Sequence, residues 1–399
     1  MTTASKNRLR HVERIALAVA AVAAIATAVL GWTSPQGILP AWRLAGFACL
    51  QPAIGSLIFI LIFRLTGGEW VEGLAPFLTA GTRLLPWIWM LILPLVWFPI
   101  AAKPHEREAL RDERPSESRA SVIGELTSAN AALREAFSND PERHFDPSLG
   151  LYFGRPLMVG RAAFYAVGFF LLAAGASRVM RVTSPAAMRW FGPVGLIGLV
   201  FMLHLLAEDW FALLEPGWYS TGFPLVWTAG QGIAGISAAE LAAMGSGANP
   251  GSQGSSGRAR GLDWGNLMLA AVMAWTYVAF VQWLIIWSGN LPAETIWYRV
   301  RSHDGWQWMV VGLAIFEFAV PFLILLSRNV KQRRTRLAIT AALLLVGQLA
   351  YTVWLIVPAF PRAAATAFGV EMTFLVAAVA LFLNRYLAAA RSVAGISMP

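Results

Sequence analysis

The chain has 399 residues, 57% hydrophobic and only 13% charged, with a mean hydropathy of +0.58. Soluble domains carry about 25% charged residues, so this composition excludes a soluble globular protein. The net charge of +9 reads as membrane topology rather than nucleic-acid binding. The single cysteine, Cys49, excludes an intramolecular disulfide, a four-cysteine iron–sulfur site and a C-x-x-C-H haem attachment.

The basic N-terminus MTTASKNRLRHVER runs into IALAVAAVAAIATAVLGW, which is long enough to span and predicts a first membrane helix over 15–32 rather than a cleaved signal. Further spans are predicted over 43–65, 83–101, 157–177, 189–211, 222–244, 262–288, 306–327, 335–357 and 366–388. These are continuous apolar runs, not the alternating pattern of barrel strands, so the fold class is an all-α polytopic membrane protein of about ten transmembrane helices.

The chain divides into residues 1–101, the first three helices; 102–156, a polar extracytoplasmic loop; and 157–399, a seven-helix region. The loop, counted over 102–155, holds eight basic and ten acidic residues and is too short and polar to bury a core. Residues 67–83 read as a short interfacial helix or a tight connection, and 245–261 as a flexible Gly/Ser linker. Lys6, Arg8, Arg10, Arg14, Arg64, Arg83, Arg178, Arg181, Arg189, Arg258, Arg260, Arg328, Lys331, Arg333, Arg334, Arg336, Arg385 and Arg391 fall on one side. Of the basic residues in the short loops, only Arg43, Arg299, Arg301 and Arg362 fall on the other. The positive-inside rule therefore places both termini in the cytoplasm.

Of the five histidines only His204 lies within a span, which excludes a bis-histidine haem in the membrane. His204 and Glu208 stand at i and i+4 on one helix face, with Asp209 turned about 100° away. They read either as a protonatable, quinol-contacting site or as a polar helix end at the water interface. Trp218 and Tyr219 read as interfacial anchors or as a stacking platform. Gln282 is a buried polar group suited to holding two helices together. Glu317 lies deepest in its span. A charge there costs about 2.5–3.5 kcal/mol on the insertion scale, so it is expected to be paired, protonated or functional. Glu240, Glu371 and Arg161, nearer span ends, read as structural.

AEDWFALLEPGWYST, AFVQWLIIWSGNLPAETIWYRVR and PFLILLSRNVK, in that order and spacing, resemble the ActF-type membrane subunit of alternative complex III. That complex is a bacterial quinol:electron-acceptor oxidoreductase whose subunit is similar to NrfD/polysulfide-reductase membrane proteins. The resemblance covers about 150–360. It implies two four-helix bundles plus two further helices. It also implies a bacterial inner-membrane location and no cofactor held by the chain's own ligands, with quinone or quinol as the expected small molecule. The implied partners are a sister quinol-binding subunit, an iron–sulfur protein and multihaem c-type cytochromes. The matching positions are Asp209-Trp210, Trp218-Tyr219-Ser220-Thr221, Asn290-Leu291-Pro292, Glu294-Thr295 and Trp297-Tyr298. One departure stands out: Gln348 and Tyr351 occupy places where relatives are expected to carry His and Asp.

The function expected is a cofactor-free subunit of a respiratory quinol:acceptor oxidoreductase that supports quinol oxidation, proton translocation or both. Asp209, Glu208, His204 and Glu317 are the candidate proton-transfer or quinol-contact groups. Trp210, Trp218, Tyr219, Gln282, Asn290, Glu294, Trp297 and Tyr298 are the candidate binding residues; no metal is expected. The alternatives are a structural anchor for periplasmic electron-transfer subunits, and a transporter.

Overall fold

A computed structural model describes residues 3–71, 73–93, 155–181, 190–211, 214, 218, 220–246, 254–302, 304–360 and 365–395. Tyr219 and most of the 102–156 loop lie outside these residues. By its contacts the chain forms two units, Met1–Ile92 with Ala166–Pro399, and Leu93–Tyr165. In the second unit, the described residues are Leu93 and the opening turns of one helix.

Every regular element among the described residues is a helix. The long ones are α1 (Thr3–Thr33), α2 (Ile38–Thr66), α3 (Ala75–Ile92), α4 (Arg155–Val179), α5 (Phe191–Phe211), α6 (Phe223–Gly245) and α7 (Gly254–Gly289). A short α8 (Pro292–Val300) follows, then α9 (Trp306–Leu326), α10 (Arg334–Ile356) and α11 (Ala365–Gly395). Eight of them are long and apolar enough to cross a membrane. The protein is an all-α polytopic membrane protein.

The remaining two of the ten predicted spans are α3 and α6. Helix α6 carries Gln231, Ser237 and Glu240, all buried. It packs against α2, α5, α7 and α10, so its side chains face protein and need not match lipid.

Three boundaries differ from the sequence reading. Helix α3 starts at Ala75, not at 83, because Phe77, Leu78 and Ala80 bury against neighbouring helices and extend it. The connection is correspondingly shorter than 67–83: before α3 it holds a 3-10 turn, Glu69–Val71, flanked by Gly67, Gly68 and Gly73 at positive φ. The expected Gly/Ser linker is helical from Gly254, since extending a formed helix costs far less than nucleating one.

Helix α2 is the hub: 78% of its apolar window is buried, against 22% for α1. It packs against α3 and α5. Helix α4 closes this first bundle through Trp89 on Phe169, with ring centroids 5.5 Å apart, and through Gly175, where an added Cβ would meet the Phe191 ring at 2.3 Å. Helices α6, α7, α9 and α10 form the second bundle. The bundles join where α2 crosses α6. A Cβ at Gly55 would stand 1.8 Å from the Gln231 carbonyl oxygen, and one at Gly235 2.2 Å from the Gly55 carbonyl carbon. Only glycine allows backbones this close. Helices α1 and α11 pair with each other beside the first bundle, tied by Arg391 Nε donating to Glu13 Oε1 at 2.6 Å.

Candidate functional site

The second bundle is built around an interruption in α9. Pro321 has no N–H to give the carbonyl of Glu317, four residues back, and its ring crowds that oxygen. The helix answers by widening. Ala314–Ala319 is a π-helical segment, and the Val320 N–H bonds to Ile315 O. Glu317 sits inside this segment, near the middle of Trp306–Leu326, and is fully buried.

Its carboxylate lies against α10. Gln348 Nε2 donates to Glu317 Oε1 at 2.8 Å. The other oxygen, Oε2, has no hydrogen-bond partner among the described residues. It occupies the space of a missing side chain: a Cβ at Gly347 would stand 1.5 Å from it. The Gln348 amide uses a similar gap, because a Cβ at Gly230 of α6 would be 2.7 Å from Gln348 Oε1. Two glycines therefore admit a polar pair that larger residues would exclude.

The polar layer continues into α2. Gln51 Nε2 donates to Thr352 Oγ1 at 2.7 Å, and that hydroxyl donates to the Gln348 carbonyl at 2.8 Å. On α6, Gln231 Nε2 donates to Trp227 O at 2.9 Å. Gln51, Gln231, Glu317, Gln348 and Thr352 are each at most 1% exposed. Among the described residues, one ionisable group, four uncharged polar ones and one hydrogen bond to the carboxylate make a site that can gain or lose a proton. It is a poor site for holding a permanent charge.

Sequence reasoning found Glu317 but treated Gln348 as the loss of a titratable group. The structure makes it the carboxylate's hydrogen-bond donor. Gln51 and Thr352 were missed, because no local pattern links residues some three hundred positions apart.

A second cluster gathers several residues of the motif strings. Trp218 and Trp297 stack with centroids 4.2 Å apart and planes at 18°. The Arg301 guanidinium lies 3.4 Å from the Trp297 ring centroid. It donates through Nη2 to Leu355 O at 2.8 Å and through Nη1 to Trp297 O at 3.0 Å. Trp218 Nε1 donates to the Glu294 carbonyl at 3.1 Å, and Gln282 Nε2 to Ser220 Oγ at 3.2 Å. Gln282 thus ties α7 to the segment before α6.

Trp218 and Trp297 are each 1% exposed, which corrects the reading of Trp218 as an interfacial anchor. It stacks on Trp297 and meets Phe223 in a T-shaped contact at 5.4 Å. Tyr298 lies against Trp354, and burial pushes its phenol upward while Arg301 pulls the other way. Asn290 has φ +47 and turns the chain between α7 and α8.

On α5, His204 and Glu208 are half-buried while Asp209 is 4% exposed. Trp210 packs edge-on against Phe47 at 5.7 Å and Trp89 at 6.1 Å, within the aromatic core of the first bundle. The α5 carboxylates and Glu317 therefore belong to different bundles.

Comparison with protein-family models and with curated proteins finds no match. No group of three or more His, Cys, Asp or Glu among the described residues could hold a metal ion.

Glu240 was expected to be structural. It is fully buried in α6, and neither carboxylate oxygen has a hydrogen-bond partner among the described residues. The sequence placed it near a span end, but could not say that protein, rather than water, surrounds it.

Proposed function

We propose that the chain is an integral membrane subunit of a respiratory quinol:acceptor oxidoreductase of the alternative complex III type. In this reading it holds no redox centre of its own, and its second bundle carries protons coupled to quinol oxidation by partner subunits. The supporting observation is Glu317: a buried carboxyl at mid-span, in a π-segment, with one oxygen bonded to Gln348 and the other without a hydrogen-bond partner among the described residues. Such interruptions cluster at functional sites, and intramembrane carboxyls mark functional sites, proton relays among them. The half-buried His204 and Glu208 and the buried Asp209 offer a separate protonatable group at the end of α5. Quinol oxidation releases two protons with its electrons, and acceptors such as these could receive them.

The deciding experiment purifies the chain with its partners and reconstitutes the assembly in proteoliposomes. Haem staining and mass spectrometry should find multihaem cytochromes and an iron–sulfur protein. Glu317→Gln should lower the number of protons moved per electron. Co-purification of no redox partner, or an unchanged ratio in the variant, would sink the proposal.

A second reading, a structural anchor for electron-transfer subunits, draws support from the Trp218–Trp297–Arg301 stack. It is buried and closely stacked, as a docking base would be.

A further inference from the structure

The second bundle contains more buried polar atoms without a hydrogen-bond partner among the described residues than a close-packed core tolerates. All four of its helices contribute. They are Ser237 Oγ and both Glu240 oxygens from α6, Trp275 Nε1 and Thr276 Oγ1 from α7, Glu317 Oε2 from α9 and Gln348 Oε1 from α10. Leaving such a group unbonded is costly, and native proteins leave few of them. Buried groups of this kind are ordinarily satisfied by internal water.

Those on α6 follow one side of the helix. Helices α6 and α10 run antiparallel with a register fixed at two points: Gly230 beside Gln348, and Arg334 Nη2 donating to the Met244 carbonyl. Gly230 faces the Glu317–Gln348 pair. Ser237 follows two turns later on nearly the same face, and Glu240 comes one turn after that, displaced by about 60°. From Gly230 to Glu240 the stripe runs about 15 Å along the axis. Beyond it lies the basic end, where Lys331 Nζ donates to Asn266 Oδ1 at 2.6 Å. Burial and the neighbouring charge of Arg328 pull the Lys331 ammonium downward.

We propose that water threads the second bundle from Glu317 past Ser237 to Glu240, and that Glu240 is the proton-exchanging group at the basic end of this path. A proton taken up by the Glu240 carboxylate passes as H⁺ along the water to Glu317; no electron or bond to carbon is involved. This deepens the proton-carrying reading, but water access can be measured without it.

The test is infrared spectroscopy of the purified assembly transferred to D₂O, with Glu240→Gln and Glu317→Gln assigning the carboxyl bands. The expected result is a band, absent in Glu240→Gln, that shifts within minutes. In Ser237→Val the Glu317 band should exchange at least about tenfold more slowly than in wild type, while the Glu240 band keeps its rate. A Glu240 band that stays unshifted for hours, or a Glu317 band indifferent to Ser237→Val, overturns the path. Either result leaves the proton-to-electron ratio of Glu317→Gln as the separate judge of the respiratory reading. If Glu240→Gln does not assemble, the Ser237→Val arm carries the test.

Discussion

The carboxylate of Glu317 fills the place where a side chain at Gly347 would begin: a Cβ there would stand 1.5 Å from Oε2. A buried acid and a glycine thus form one fitted pair across α9 and α10. Gly347→Ala should drive the carboxylate out of its place and cost about 1–3 kcal/mol of stability through overpacking. Thermal unfolding in mild detergent checks it. An unchanged midpoint would show that the acid can sit elsewhere.

Gln348→Leu removes the amide hydrogen bond to Glu317 Oε1. The single variant should lose about 2–3 kcal/mol, since it leaves a buried acceptor unmet. Adding Glu317→Leu should restore much of that loss, because both partners are then apolar. A double-mutant cycle on chemical unfolding measures the coupling. Additive losses would mean that the two side chains do not act as a pair.

Pro321→Ala returns an N–H at the position that widens α9. The helix should become more regular and no less stable, while the Ala314–Ala319 segment reverts to α geometry and Glu317 rotates away from Gln348. Protons moved per electron should then fall as in Glu317→Gln. A coupled, fully active Pro321→Ala assembly would show that the widened turn has another cause.

Arg301 is fully buried and stacked on Trp297. Arg301→Lys keeps the charge but loses the planar face and the forked donation to Leu355 O through Nε and Nη2. It should cost about 2–4 kcal/mol, against about 3–5 for Trp297→Ala, with strong coupling between them. Stability of the two single variants and the double variant checks this. An Arg301→Lys protein as stable as wild type would reduce the stack to incidental packing.

Gly55→Ala places a methyl group 1.8 Å from the Gln231 carbonyl oxygen, at the crossing that joins the two bundles. Backbone cannot yield as a flexible side chain can. Loss of assembled protein, read by gel filtration in detergent, is the expected outcome. A monodisperse Gly55→Ala protein of wild-type stability would mean that the bundles meet elsewhere.

The sequence by itself determined the solvent and the class of fold. Apolar runs of helical length and sparse charge leave no other way to satisfy a backbone inside lipid. It also marked Glu317, because depth within a span is legible from distance to its ends. Helix α6 was legible only as a span. Nothing local shows that protein encloses its Gln231, Ser237 and Glu240, and so Glu240 read as a span-end acid. Trp218 likewise read as a lipid-interface residue, until the fold brought Trp297 against it. Tertiary structure alone decided which polar groups meet. Gln348 finds Glu317, Gln51 finds Thr352, and Gly347 and Gly230 clear the space, because each contact joins different helices whose register is set by close backbone packing.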